Sequence, residues 1–210
     1  MDLNQLENSC KTFIEKDVSA DAAHDVAHIQ RVVNNSKIIL DQTTADRQIV
    51  LAASWLHDCV ALPKNHPDRK KSSQLAADKA GKFLKSISFP QDKIPAVCHA
   101  IESHSFSAGI KPRTPEAEIV QDADRIDALG AIGIARCFAV GGQLKTSLYN
   151  PDDPFCEQRI PDDSKFTVDH FFTKLFKLPE TMNTEQGRAL ARDRAKYMEK
   201  YLSQLSAEIT

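Results

Sequence analysis

No apolar run in this chain of 210 residues approaches the ~20 residues that a membrane-spanning helix needs, so a membrane role is not expected. The start, Met1-Asp-Leu-Asn-Gln-Leu-Glu, has neither the basic residues nor the apolar stretch of a secretory signal, and the chain reads as cytoplasmic. Five cysteines, Cys10, Cys59, Cys98, Cys137 and Cys156, form no close pair of metal-ligand spacing, and their odd number does not suit a disulfide framework. A reducing compartment fits them. Strong charge is missing as well. The formal net charge is -2, which gives no field to gather a nucleic-acid backbone or an acidic membrane, and aromatic residues do not interleave with basic ones. A nucleic-acid polymer is therefore excluded as partner, and a small anion must meet a local basic cluster. Neither a nucleophile elbow nor a dinucleotide fingerprint occurs. Gly141-Gly142 followed by Lys145 lacks the Gly-Lys-Ser/Thr ending of a phosphate-binding loop and reads as a flexible turn. Alternation of β-branched with polar residues is absent, so strands are not expected, and there is no internal repeat.

What remains is helical periodicity almost everywhere. With 41% hydrophobic and 27% charged residues, the chain can bury one sizeable core, and one domain over 1–210 is the expectation. Its core falls at about 21–140 and its C-terminal helices at about 168–207. Ile29, Val32, Val33, Ser36 and Leu40 form an apolar stripe on a helix from about Asp21, its N-cap, to Asp41. Thr44 is expected to cap the next helix, striped by Ile49, Ala52, Ala53 and Leu56, which Pro63 stops. Leu75, Ala76, Phe83 and Leu84 mark a third helix before Pro90. Ile94, Val97, Cys98 and Ile101 mark a fourth, reaching about His104. The segment Glu116 to Phe138 is divided at Gly130 and Gly133. From Gly141 to Ser164 no period is visible, which suggests a solvated, mobile loop or a lid. A short helix around Phe171, Phe172, Leu175 and Phe176 and a long one with Ala191, Ala195, Met198, Leu202 and Leu205 complete an all-α bundle.

Several titratable residues fall on core faces. Val120, Ala123, Asp124 and Asp127 follow i, i+3, i+4, i+7, so two carboxylates share a face with core residues and need a cation or hydrogen-bond donors. His57 lies four residues after Ala53 on the same apolar stripe, and Asp58 follows about 100° further round. Asp25, His28 and Val32 are spaced i, i+3, i+7, which turns His28 inward with Asp25 behind it as an acceptor. His28, His57, Asp58 and Asp124 thus offer two imidazoles and two carboxylates, a thiolate-free set suited to one divalent ion such as Mn²⁺, Fe²⁺, Co²⁺, Ni²⁺ or Mg²⁺. Spacing alone leaves an alternative open, in which the histidines cap helix carbonyls and the aspartates pair with Arg31 and Arg125.

His28 within Asp25-Val-Ala-His28-Ile-Gln-Arg31, then His57-Asp58, then Asp124 within Gln121-Asp-Ala-Asp124-Arg125-Ile-Asp127 resemble the H…HD…D signature of the HD superfamily of metal-dependent phosphohydrolases. Lys64-Asn-His-Pro, Arg69-Lys-Lys-Ser-Ser, Ala128-Leu-Gly-Ala-Ile-Gly and Asp169-His-Phe resemble a bacterial subgroup of that superfamily, some of whose relatives are nucleotide pyrophosphohydrolases. The resemblance runs from about Asp21 to the C-terminal helix. It implies an HD-domain helical bundle and selects His57-Asp58 over the dipeptide His24-Asp25, which lacks a histidine upstream. It also selects Asp124 over Asp122.

The resemblance further implies hydrolysis by a metal-activated water with no covalent enzyme intermediate, on a nucleotide, with Asp58 as both ligand and proton acceptor. The preferred substrate is a nucleoside triphosphate, giving the monophosphate and pyrophosphate. Nucleoside monophosphates and guanosine polyphosphates are alternatives, and a non-catalytic nucleotide- or partner-binding module is the competing class. His104, on the Ile94, Val97, Ile101 stripe, is a candidate acid, phosphate donor or ligand to a second metal; His99 lies off that stripe, which favours a single ion. Asp127 can hold a nucleophilic water, hydrogen-bond a ligand histidine or simply pair with an arginine. Lys64, Arg69, Lys70 and Arg125 are candidate phosphate contacts. A monomer or homodimer is expected.

Overall fold

The structure, a computed structural model, describes residues 1–17, 26–60, 62, 66–105 and 108–209. Asp21, His24, Asp25, Pro63 and Lys64, whose expected roles are stated above, lie outside the described residues. Nine α-helices are found among them and no strands, and the chain is all-α. A lone bridge joins Ser147 to Phe166. No helix of the described residues is long and apolar enough to cross a membrane, and all five cysteines are free thiols. The chain forms two compact units, 1–124 and 125–210.

The first unit holds α1 (Leu3–Asp17), α2 (Val26–Leu40), α3 (Arg47–Leu56), α4 (Ser72–Ser86), α5 (Ile94–His104) and most of α6 (Pro115–Ile126). α3 is the central rod: α1, α2, α4 and α5 all pack on it, and Ile49 through Leu56 are buried without interruption. A helix apolar all round can lie only inside a bundle. Glu7 fixes α1 at this rod by accepting from the Trp55 indole at 3.2 Å and pairing with Lys37 at 2.8 Å.

The cap of α3 differs from the expected Thr44. Asp46 occupies it, with extended backbone and Oδ1 accepting from the amides of Gln48 and Ile49. Both residue types suit a cap, but Asp46 also binds Lys93 through Oδ2 at 2.6 Å, and its own amide donates to Glu116. Burial works against the charged carboxyl, yet the Lys93 and backbone hydrogen bonds prevail and hold its pKa below the usual value. Asp46→Ala is expected to cost about 1 kcal/mol of stability, the usual value of such a cap, measurable by urea unfolding. An unchanged midpoint would show that the helix does not depend on it.

The second unit contains the end of α6, then α7 (Gly130–Leu144), α8 (Asp169–Thr173), a 3₁₀ segment (Leu175–Thr181) and α9 (Glu185–Ile209). Gly130 separates α6 from α7 in the left-handed region, φ +73°, which a residue with a Cβ rarely adopts. Gly141-Gly142 is not a turn: both residues lie in the last turns of α7, which ends instead at Lys145 with φ +58°. The reason for Gly141 is space, since a Cβ there would stand 2.3 Å from Thr167 Oγ1.

The aperiodic segment that follows is built rather than loose. Asn150 Oδ1 accepts from the amides of Asp152 and Asp153, and Asp153 accepts from those of Glu157, Gln158 and Arg159. Arg159 then grips the buried Asp169 with two nitrogens, at 2.5 and 2.7 Å. Side chains bonding to nearby backbone order a chain without leaving any hydrophobic period.

Candidate metal centre

Helix ends carry the candidate residues of the first unit. His28 is in the first turn of α2, His57 is the C-cap of α3 with Asp58 next, His104 closes α5, and Asp124 lies in the last turn of α6. The last four carbonyls of a helix have no amide partner within it. His57 Nδ1 meets one of these, Ser54 O, at 2.8 Å, and His104 Nδ1 meets another, Ile101 O, at 2.6 Å. A carbonyl only accepts, so each Nδ1 carries the proton it donates. The capping reading of these histidines therefore describes one ring nitrogen of each, and Nε2 of the same ring faces the centre.

There the donor atoms converge. His28 Nε2 stands 3.4 Å from His57 Nε2, 3.8 Å from Asp58 Oδ2 and 3.4 Å from Asp124 Oδ1. His57 Nε2 is 3.6 Å from Asp58 Oδ2 and 3.9 Å from Asp124 Oδ1. The other Asp58 oxygen, Oδ1, is 3.5 Å from His104 Nε2. The rings of His57 and His104 meet edge to face with centroids 4.9 Å apart. His57 is wholly buried, whereas the side chains of Asp58 and Asp124 are 13% and 28% exposed, so the carboxylates form the side of the cluster that a small molecule can reach.

Burial pushes the His57 imidazole down to about 4, with Asp58 opposing that fall and His104 adding to it. A neutral ring with Nδ1 protonated presents a bare lone pair at Nε2 to two carboxylate oxygens. Such acceptors repel unless a cation or a donated proton lies among them. For bonds of about 2.1 Å, neighbouring ligand atoms stand about 3.0 Å apart at right angles and about 3.4 Å apart at tetrahedral angles. The observed spacings begin at that value and exceed it by a few tenths of an ångström. The residues present fit a divalent ion bound by nitrogen and oxygen. His28, His57 and Asp58 alone already bring their ligand atoms within 4.8 Å of one another.

At two neighbours the surroundings favour the charged form. Burial opposes an imidazolium at His104, but the hydrogen bond and charge of Asp58, with Asp124 behind, raise its pKa. Burial also opposes the Asp124 carboxylate, yet His28, followed by His104 and His57, brings its pKa well below the ordinary range.

The remaining candidates take other places. Arg69 gives Nη1 to Leu62 O at 2.8 Å, Lys71 is paired with Asp68, and Lys70 is exposed. In the second unit, Arg125 donates to Thr181 O at 2.6 Å, and the fully buried Asp127 pairs with Arg136 at 2.5 Å. Asp127 thus has an arginine partner in the second turn of α7, which ties that helix to the residue just past α6. His99 accepts from the Arg113 amide at 3.0 Å. Asp122, which the resemblance passes over in favour of Asp124, is buried as well.

The helical fold and this His/Asp cluster define an HD domain. Its sequence pattern matches residues 25–129, and the chain belongs to the HD domain family. It is 30% identical over 213 residues to the uncharacterized protein YpgQ of Bacillus subtilis, covering 99% of this chain and 95% of that one. The crystal structure of YpgQ in complex with ADP is similar, with a TM-score of 0.74, 29% identity, and 98% and 95% of the two chains covered. A structure named a HD-superfamily hydrolase, from Bacillus thuringiensis, is 32% identical with a TM-score of 0.73, covering 98% of this chain and 95% of that one. The fold is that of the HD-superfamily hydrolases.

Proposed function

We propose that this chain is a metal-dependent phosphohydrolase that converts a nucleoside triphosphate to the monophosphate and pyrophosphate, acting as one HD domain across 1–210. The observation that carries the reading is the bare Nε2 of His57, turned by Ser54 O toward His28 and the carboxylates of Asp58 and Asp124 at 3.4–3.9 Å. His28, His57, Asp58 and Asp124 would hold one divalent ion. When bound, such an ion supplies Lewis acidity to a phosphoryl oxygen and acidity to a water.

The chain's own residues divide the rest of the work. Asp58 turns Oδ2 to the imidazole pair and Oδ1 to His104, so it can accept a proton on one side while it binds on the other. His104 keeps Nδ1 on Ile101 O, so a proton at its Nε2 would face Asp58 Oδ1 and could pass to a leaving oxygen that entered beside it. Lys70 and the remaining guanidinium nitrogens of Arg69, together with Lys64, would meet the outer phosphates. The ADP bound by YpgQ supports a nucleotide as substrate.

The test uses metal-stripped protein with a panel of nucleoside mono-, di- and triphosphates, before and after Mn²⁺, Co²⁺, Ni²⁺ or Mg²⁺ is restored. Pyrophosphate released from triphosphates only with metal is the expected result. Inorganic phosphate released from monophosphates, or pyrophosphate from guanosine polyphosphates, would move the activity to another nucleotide. Nucleotide binding without turnover would make the chain a binding module.

A further inference from the structure

The centre is framed by buried hydrogen bonds that end next to its members. Asn35, two turns beyond His28 on α2, donates Nδ2 to Ala123 O at 3.0 Å, the carbonyl just before Asp124. Gln121, one turn before Asp124 on α6, donates Nε2 to Ser103 O at 2.7 Å, the carbonyl just before His104. Ser36 of α2 and Ser54 of α3 join hydroxyls at 2.7 Å, and Ser54 is the residue whose carbonyl orients His57. All four side chains are buried.

Ala123 and Ser103 each lie in the last turn of a helix, where a carbonyl lacks an amide of its own helix. Removing the donor would take a buried hydrogen bond from that carbonyl, and the helix would be free to shift or rotate towards another partner. For α6 that shift carries Asp124 with it. An apolar contact at the same place would bury as much surface without fixing how far α6 slides along α2 and α5, because dispersion and hydrophobic burial are non-directional.

We propose that Asn35 and Gln121 are positioning residues, which pin α6 to α2 and to α5 so that Asp124 Oδ1 meets the imidazoles of His28 and His57. The inference rests on the metal reading of the centre. Neither residue touches the reacting atoms; each acts through a main-chain carbonyl adjoining a member of the cluster. They are the counterpart, one bond further out, of the carbonyl that orients His57, and partners of this outer kind are worth about 10–100-fold in metal affinity.

Metal-stripped protein titrated with Co²⁺ alone tests this, with calorimetry reading the dissociation constant and the visible d–d bands reading ligand geometry. Asn35→Leu and Gln121→Met keep approximate size and remove the donor. Leu6→Ala, in the core of α1, serves as a control that lowers thermal stability without touching α6. The expected result is Co²⁺ binding weakened about 10-fold with altered bands in both donor variants, while Leu6→Ala keeps the wild-type constant and spectrum. If Asn35→Leu does not fold, Gln121→Met decides alone. A folded donor variant with the wild-type constant and bands overturns the proposal and leaves the metal centre standing, as does a Leu6→Ala variant weakened to the same degree. Wild-type protein that binds no Co²⁺ overturns the metal reading itself, and the positioning role falls with it.

Discussion

His57→Ala is expected to abolish metal-dependent hydrolysis and, in the same protein, the stabilisation that metal confers. His57 sits in the middle of the centre, with both imidazole partners and both carboxylates around it. Loss of a direct ligand should exceed the 10–100-fold that loss of an outer partner costs, so activity should fall by more than about 100-fold at any ion concentration short of saturation. The side chain is also wholly buried, and truncating it removes packing whether or not a metal binds. Activity alone would confuse the two effects. The decisive quantity is the change in unfolding free energy when Mn²⁺ is added to metal-stripped protein. An ion at 100 times its dissociation constant stabilises the fold by about 2.7 kcal/mol, and wild type should show this gain while His57→Ala shows none. A variant that is less stable but gains as much from Mn²⁺ as wild type would remove His57 from the ligand set.

The cluster could be read from the sequence because three of its four members break a strong pattern. His28, His57 and Asp124 occupy positions where helical spacing demands apolar residues, and the HD pair supplies the order. Other features share their sequence signal with ordinary ones. Thr44 and Asp46 are both good caps, and only the distant Lys93 and Glu116 favour Asp46. Gly141-Gly142 looks like a turn because glycine is common in turns, but Gly141 is set by the approach of Thr167, 26 residues on, while a Cβ at Gly142 would meet nothing. Asn35 and Gln121 are polar residues on long helices, which sequence cannot tell from solvent-facing ones until the partner helix is known. The same limit applies to Asp127, whose inward position was evident while its partner Arg136 was not.

The segment between α7 and α8 offers the other large effect. It showed no period in sequence because one buried ion pair and a set of local side-chain bonds organise it. Asp169 is wholly buried at the first position of α8 and takes both Arg159 nitrogens as well as the Asp162 amide at 2.6 Å. Arg159 also donates Nε to Asp153 O at 2.9 Å and lies over the Phe166 ring. Arg159→Ala would leave the carboxylate buried without its cation, and breaking a buried pair from one side costs about 3–5 kcal/mol; with the Arg159 side chain 21% exposed, the lower end, about 3 kcal/mol, is expected. Arg159→Lys keeps the charge but not the two-pronged geometry and should fall between. The pH dependence separates this from lost packing. Burial disfavours the charged Asp169 carboxyl, but Arg159 and the Asp162 amide outweigh it and hold its pKa below the ordinary value. A carboxyl depressed in the folded state stabilises fully above its unfolded pKa of about 3.9 and loses that contribution as pH falls through its folded value. The gap between wild type and Arg159→Ala should therefore be widest near neutral pH and narrow towards about pH 3, as measured by urea unfolding across that range. A gap that stays constant with pH would mean that Arg159 acts through contact with Phe166 and Asp153 O, not through the charge of Asp169.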